Sequence, residues 1–143
     1  MALYFLKYNA LEVAMGPVTK ITFTDDNGIK FFGEGPCRLL RCVEKNGSLR
    51  AAAMEMEMAY SRASKILKQA ETSLGFPLTT RNAGGKYGGG SKLTPEGKRW
   101  LRQYEAYRDA CVKANQELYR LHFPKSAASS WLPAWESGLA EIS

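Results

Sequence analysis

Between residues 18 and 33 the chain reads VTKITFTDDNGIKFFG: Ile21 and Phe23 alternate with threonines, an Asn27-Gly28 pair follows, and Ile29 and Phe31 alternate again. Period-two patterning broken by Asn-Gly predicts a β-hairpin. The period then changes. From Gly35-Pro36 onward, Leu39, Leu40 and Val43 share one helical face, and Asn46-Gly47 ends it. Ser48 stands as the N-cap of a short helix, LRAAAMEM, whose alanines suit close packing. The alternation in MEMEM at residues 54–58 has the period of a strand, but strong helix formers flank it on both sides, so it is read as a helix end and a turn. From Tyr60, the residues Ala63, Ile66, Leu67, Ala70 and Leu74 resume helical spacing, with Arg62, Lys65 and Lys68 on the other face, until Gly75 and Pro77 stop the segment. Residues 77–80 and 91–93 predict two short strands around a glycine cluster. Thr94-Pro95-Glu96 then supplies an N-cap, a proline at the first helical position and an early acid for a long last helix.

That helix carries Trp100, Tyr104, Tyr107, Cys111, Ala114, Leu118 and Leu121, steps of four and three that repeat as a heptad seam. Its length exceeds what so small a core covers, so the seam, through Trp100, Tyr104, Tyr107, Cys111, Leu118 and Leu121, is expected to build a homodimer. After Phe123-Pro124 the composition shifts to KSAASSWLPAWESGLAEIS, a serine-bearing tail with Trp131 and Trp135. The expected divisions are an N-terminal segment and hairpin at 1–34, a winged helix-turn-helix at 35–95, a dimerisation helix at 96–123 and the tail at 124–143.

Charge adds a partner. Twenty Lys and Arg against fourteen Asp and Glu give a formal net charge of +6, and a basic balance suits an anionic partner such as nucleic acid. The 45% hydrophobic and 24% charged residues are those of an ordinary globular chain. Cys37, Cys42 and Cys111 form an odd set without a convincing secretory signal, which fits a reducing cytoplasm, so disulfides are not expected. A metal site is not expected either: Cys37 and Cys42 lack the short spacing of zinc ligands, and the single histidine, His122, sits where it complements a helix C-terminus. The opening MALYFLKYNALEVAMG has a lysine after its first apolar run and no charged start, so neither a membrane span nor a cleaved signal is predicted.

The glycine cluster GGKYGGGSKLT, residues 84–94, has the look of a phosphate cradle but fails as one. In a P-loop the lysine directly follows the last glycine, whereas here Ser91 precedes Lys92. A dinucleotide fingerprint fails as well, because Leu93 stands where glycine or alanine is required. With no paired carboxylates in a plausible site and no Cys/His dyad, an enzyme is not expected and no cofactor is called for. Three helices followed by a glycine-tipped hairpin and a long helix is instead the order of a winged helix-turn-helix, with the cluster as the wing.

The stretches GSLRAAAMEMEMAYSRASKILKQAETSLGFPL and GGKYGGGSKLTPEG, followed by a tyrosine-rich helix, resemble the DNA-binding domain of ModE-type molybdate-responsive regulators over residues 33–123. Gly47-Ser48 matches the family's Gly-Ser before the second helix, Ala52-Ala53 its paired alanines, Met58 and Tyr60 the start of its recognition helix, Ala63 a position within it, and residues 84–94 its wing. There are departures. Glu57 stands at a turn position where the family usually has glycine, Ala59 replaces a capping serine, and Ser64 replaces a frequent tryptophan, so the family's operator sequence is not carried over. The family's molybdate-binding domains have no counterpart in the 20 residues from Pro124, so this chain by itself implies no small-molecule effector.

Residues and resemblance together lead to an α+β winged helix-turn-helix with an N-terminal β-hairpin and a long C-terminal dimerisation helix. The expected function is that of a cytoplasmic regulator binding double-stranded DNA as a homodimer. Tyr60, Ser61, Arg62, Ser64 and Lys65 would face the major groove, with Arg50, Lys68, Arg81, Lys86 and Lys92 beside the backbone and Tyr87 along a sugar or in the minor groove. The alternative is a winged-helix module that binds another protein through the heptad helix and the tryptophan tail, without sequence-specific DNA binding.

Overall fold

A computed structural model describes residues 16–82 and 90–124. The chain divides into two units, Lys20–Asp109 and Met1–Thr19 with Ala110–Ser143. The first holds the whole candidate site. Its strands β1 (Phe23–Thr24) and β2 (Lys30–Phe32) pair antiparallel. The turn between them is built by Asp25, whose carboxylate accepts the N–H groups of Asn27 and Ile29, both at 2.9 Å. Gly28 follows in the left-handed region at φ +78, which gives a longer loop than the two-residue turn that Asn-Gly suggests. The register shifts between Phe23 and Thr24. That irregularity corrects the expected alternation: Phe32 is the buried residue of the hairpin, and Ile29 is 51% exposed.

Three helices follow: α1 (Glu34–Asn46), α2 (Leu49–Glu55) and α3 (Tyr60–Leu74). Gly47 and Gly75 end α1 and α3 at φ +72 and +82, the left-handed conformation that glycine adopts without a side-chain penalty. Ser48 caps α2, its hydroxyl accepting the Ala51 N–H at 2.9 Å. Strands β3 (Thr79–Asn82) and β4 (Gly90–Leu93) form the base of the wing, in the register Thr79 to Leu93 and Thr80 to Lys92. The long helix α4 runs over Pro95–His122. Thr94 joins it to the wing, because its hydroxyl donates to the Pro77 carbonyl at 2.6 Å and accepts the Gly97 N–H at 2.8 Å.

The core gathers Leu39, Leu40 and Val43 of α1, Ala52 and Ala53 of α2, Ala63, Leu67 and Ala70 of α3, and Leu78, Leu93 and Leu101. Alanines on both α2 and α3 allow those helices to pack closely. Phe32 closes one end, edge-on to Tyr104 at 4.9 Å and to Trp100 at 5.4 Å.

This packing corrects the expected seam. Tyr104 is 1% exposed, and its hydroxyl donates to the Ile21 carbonyl at 2.8 Å. Burial, reinforced by the nearby Glu34 carboxylate, pushes the Tyr104 phenol up to about 12. Trp100 is partly buried against the same core. Tyr104 therefore packs inward on the protein's own hairpin and leaves the expected seam, whereas Tyr107 of the same pattern is 54% exposed. In the second unit, Asn115 donates to the Thr19 hydroxyl at 2.8 Å, while Leu118 and Leu121 of α4 are 53% and 72% exposed.

Candidate nucleic-acid interface

The turn between α2 and α3 closes through two backbone bonds, from the Glu57 N–H to the Met54 carbonyl at 3.0 Å and from the Met58 N–H to the Ala53 carbonyl at 2.9 Å. This is a Schellman end, and it places residue 57 in the left-handed region. Glu57 takes it at φ 55, with a side chain where glycine fits at lower cost. Met56 and Met58 pack partly buried against the core, which explains a methionine alternation that belongs to neither strand nor helix. Glu57→Gly is expected to stabilise the domain by up to about 1 kcal/mol, read as a rise in the urea midpoint with the slope unchanged. The other departure has its expected consequence: Ala59 begins α3 with no side-chain cap.

The turn is braced from α1. Lys45 and Asn46 donate to the two oxygens of Glu55 at 2.7 and 2.8 Å. These bonds hold the Glu55 carboxyl down at about 2. A second brace was not signalled by the sequence: the Ser91 N–H of β4 donates to the Gly47 carbonyl at 2.8 Å and fixes the wing's base against the α1–α2 corner.

With Ala63, Leu67 and Ala70 turned inward, a step of about 100° per residue places Ser61, Lys65, Lys68 and Thr72 at the middle of the outward face. Tyr60, Ser61, Ser64, Lys65, Lys68, Gln69 and Thr72 lie together along one open face of α3. Arg62 is exposed at the border of that strip rather than in its middle. Gln69 and Thr72 were missed, although both lie four residues beyond named candidates, Lys65 and Lys68, and helical spacing was sufficient to find them. Gln69 also ties α3 to the hairpin, donating to the Lys30 carbonyl at 3.3 Å.

Tyr60 is where three elements converge. The Arg50 guanidinium of α2 lies over its ring, 5.2 Å from the centroid, and the Arg81 guanidinium of β3 donates to its hydroxyl at 3.4 Å. Lys92, opposite Thr80 on the wing, is exposed. Lys86 and Tyr87, the expected wing contacts, lie outside the described residues.

Ion pairs within the unit join α1 to α4 and α1 to α2, and among the described residues exposed cations without one, Arg38, Lys98 and Arg99, occur on α1 and α4 as well. On the α1–α4 side, Arg41 donates to Glu105 at 2.7 Å, Arg102 meets Glu44 at 3.0 Å and Arg108 meets Glu34 at 3.4 Å. Among the described residues, none of Arg50, Arg62, Lys65, Lys68, Arg81 or Lys92 has a carboxylate within 4.0 Å. Also among the described residues, no group of three His, Cys, Asp or Glu is placed to hold a metal ion, and no helix is long and apolar enough to cross a membrane.

Residues 37–98 match the family described as bacterial regulatory helix-turn-helix protein, lysR family. The molybdenum transport protein ModE of Azotobacter vinelandii is 33% identical over 85 residues, 57% of this chain and 32% of that protein. The molybdenum-pterin-binding protein MopB of Rhodobacter capsulatus is 35% identical over 75 residues, 52% of this chain and 28% of that protein. The transcriptional regulator ModE of Haemophilus influenzae is 37% identical over 68 residues, 48% of this chain and 27% of that protein. The chain thus spans 27–32% of the length of these curated relatives. Among solved structures, the DNA-binding domain of CbnR in complex with DNA is 19% identical, with a TM-score of 0.46, covering 56% of this chain and 86% of that one.

Proposed function

We propose that the helix-turn-helix domain of the bacterial regulatory lysR type at residues 37–98 lays α3 in the major groove of double-stranded DNA, and that the chain regulates transcription in the cytoplasm. The observation that carries this reading is the gathering of cations from α2, α3 and the wing's base, with no carboxylate within 4.0 Å of them among the described residues, around an outward strip of short polar side chains. Uncompensated charge attracts phosphates, and the exposed polar face of α3 has the donors and acceptors that base edges require. The domain acts by position, and its groups make or break no bond. Cations drawn from three elements around one polar strip suit the closely spaced phosphates of a duplex.

The test is recovery of bound sites from random duplexes, followed by affinity measurements over a range of salt. A recovered consensus with a steep salt dependence is expected. Lys92→Ala, on the wing, should weaken specific and non-specific duplexes alike and flatten the log-log salt slope by about one unit. The absence of any enriched sequence, with weak and salt-insensitive binding, would return the reading to the protein-interaction alternative.

Homodimerisation is part of the proposal, moved along α4 to the positions that Tyr104 and Trp100 leave vacant. Leu118 and Leu121 are exposed apolar side chains at i and i+3 on one helix face, and two copies of such a face bury it isologously. Leu118→Asp with Leu121→Asp is expected to weaken self-association at least about tenfold by placing two charges in an apolar interface. Sedimentation velocity reads the shift, and the thermal midpoint of the Lys20–Asp109 unit stays where it was.

A further inference from the structure

Tyr60 stood among the base-reading candidates of α3, yet both its ring and its hydroxyl are occupied by arginines, Arg50 at 5.2 Å from the ring centroid and Arg81 at 3.4 Å from the oxygen. The two cations come from different elements, α2 and the wing's first strand. Like charges gathered at one side chain repel, and among the described residues no carboxylate within 4.0 Å of either offsets this. A cation over an aromatic face and a donor on a phenol oxygen each retain free N–H groups on the guanidinium, since arginine has five. What remains is a pair of held, exposed guanidiniums whose outer donors meet no other acceptor among the described residues, a geometry suited to phosphate oxygens.

We infer that Tyr60 is a positioning residue that holds Arg50 and Arg81 together as a clamp on the phosphodiester backbone of one DNA strand, at the border of the groove that α3 enters. The inference rests on the proposed DNA binding and adds to it a division of labour. Tyr60 reads no base; it aligns two cations that would otherwise sample many rotamers, so the ordering cost is met before DNA arrives. Because the clamp joins α2 to the wing's base, it also fixes the angle at which both approach the duplex. Tyr60 itself is 36% exposed and outside the buried core, so its replacement leaves the domain folded.

The experiment compares the full chain with Tyr60→Phe, Tyr60→Leu, Arg50→Ala and Arg81→Ala on a duplex recovered by selection with the unmodified protein, and on copies carrying a single neutral methylphosphonate at each position in turn. Tyr60→Phe keeps the ring under Arg50 and loses the acceptor for Arg81. It should therefore cost part of what Arg81→Ala costs, and the two changes combined should cost no more than Arg81→Ala alone. Arg50→Ala should still weaken binding in the Tyr60→Phe background. Tyr60→Leu should lose both, about five- to tenfold. The methylphosphonates to which Arg50→Ala and Arg81→Ala become insensitive should be the same or adjacent on one strand, and the base preferences recovered with Tyr60→Phe should be unchanged.

Additive losses for Tyr60→Phe and Arg81→Ala, phosphates mapped to separate strands, or a base preference lost with the Tyr60 hydroxyl would each overturn the clamp while leaving DNA binding intact. If the unmodified protein recovers no duplex, the proposed function fails and the clamp with it. A purely structural part for Tyr60 would lower the thermal midpoint and leave the phosphate map as it was, and that result also overturns the inference. Should Tyr60→Leu fail to fold, Tyr60→Phe carries the comparison alone.

Discussion

Tyr104→Asp is expected to unfold the Lys20–Asp109 unit rather than to split a dimer. The heptad pattern alone places this side chain in an interface between copies, where a charge would produce well-folded monomers. The structure places it in the core, 1% exposed, edge-on to Phe32 at 4.9 Å and donating to the Ile21 carbonyl at 2.8 Å. Replacing it removes a large buried aromatic, at about 3–5 kcal/mol. It also leaves a carboxylate in an apolar site already facing Glu34, 3.3 Å from the phenol oxygen. A small domain is stable by only about 5–15 kcal/mol, so most of that margin goes. Urea unfolding followed by far-ultraviolet circular dichroism measures it, with Tyr104→Phe as the control, expected to lose only the hydrogen bond, about 1 kcal/mol. A Tyr104→Asp protein with an unchanged midpoint and half the mass would restore the interface reading.

Lys65→Ala should relax the choice of base at one pair in each half-site by about 1–3 kcal/mol while leaving non-specific affinity almost intact. Lys65 lies in the middle of the outward strip of α3, beside Ser61 and Lys68. Arg62, which composition and nearness to the helix start favour, is exposed at the strip's border. Arg62→Ala should therefore weaken all duplexes by a similar factor, as a phosphate contact does. Site selection from random duplexes with both variants separates the two roles. A base preference lost with Arg62 and kept without Lys65 would reverse the assignment.

Much of the architecture was legible because its signals are local. Ser48, Thr94, Gly47 and Gly75 cap helices through contacts within a few residues of themselves, and each does so in the structure. The inward stripe of α3 follows from the period of a helix alone. The departure at Glu57 was also visible, since a family glycine replaced by glutamate points to a left-handed position, and φ is 55 there. The hairpin was found but its register was not, because the shift at Phe23 and Thr24 depends on which of Phe31 and Phe32 the core of α1, α3 and α4 accepts.

The candidate site divides in the same way. Its residues are the ones that charge and helical spacing select, and the sequence by itself determined that α2, α3 and the wing's strands would carry Arg50, Lys65, Lys68, Arg81 and Lys92. Only the tertiary structure decided that Arg50 and Arg81, 31 positions apart in the chain, meet at Tyr60, and that Tyr104 and Trp100 pack edge-on against Phe32. The reason is physical. Periodicity tells which face of a helix is apolar, but not whether that face meets the same chain or another one. That choice depends on the surface the rest of the fold brings up to it, and here the aromatic hairpin fills the first half of the α4 stripe while Leu118 and Leu121 remain exposed.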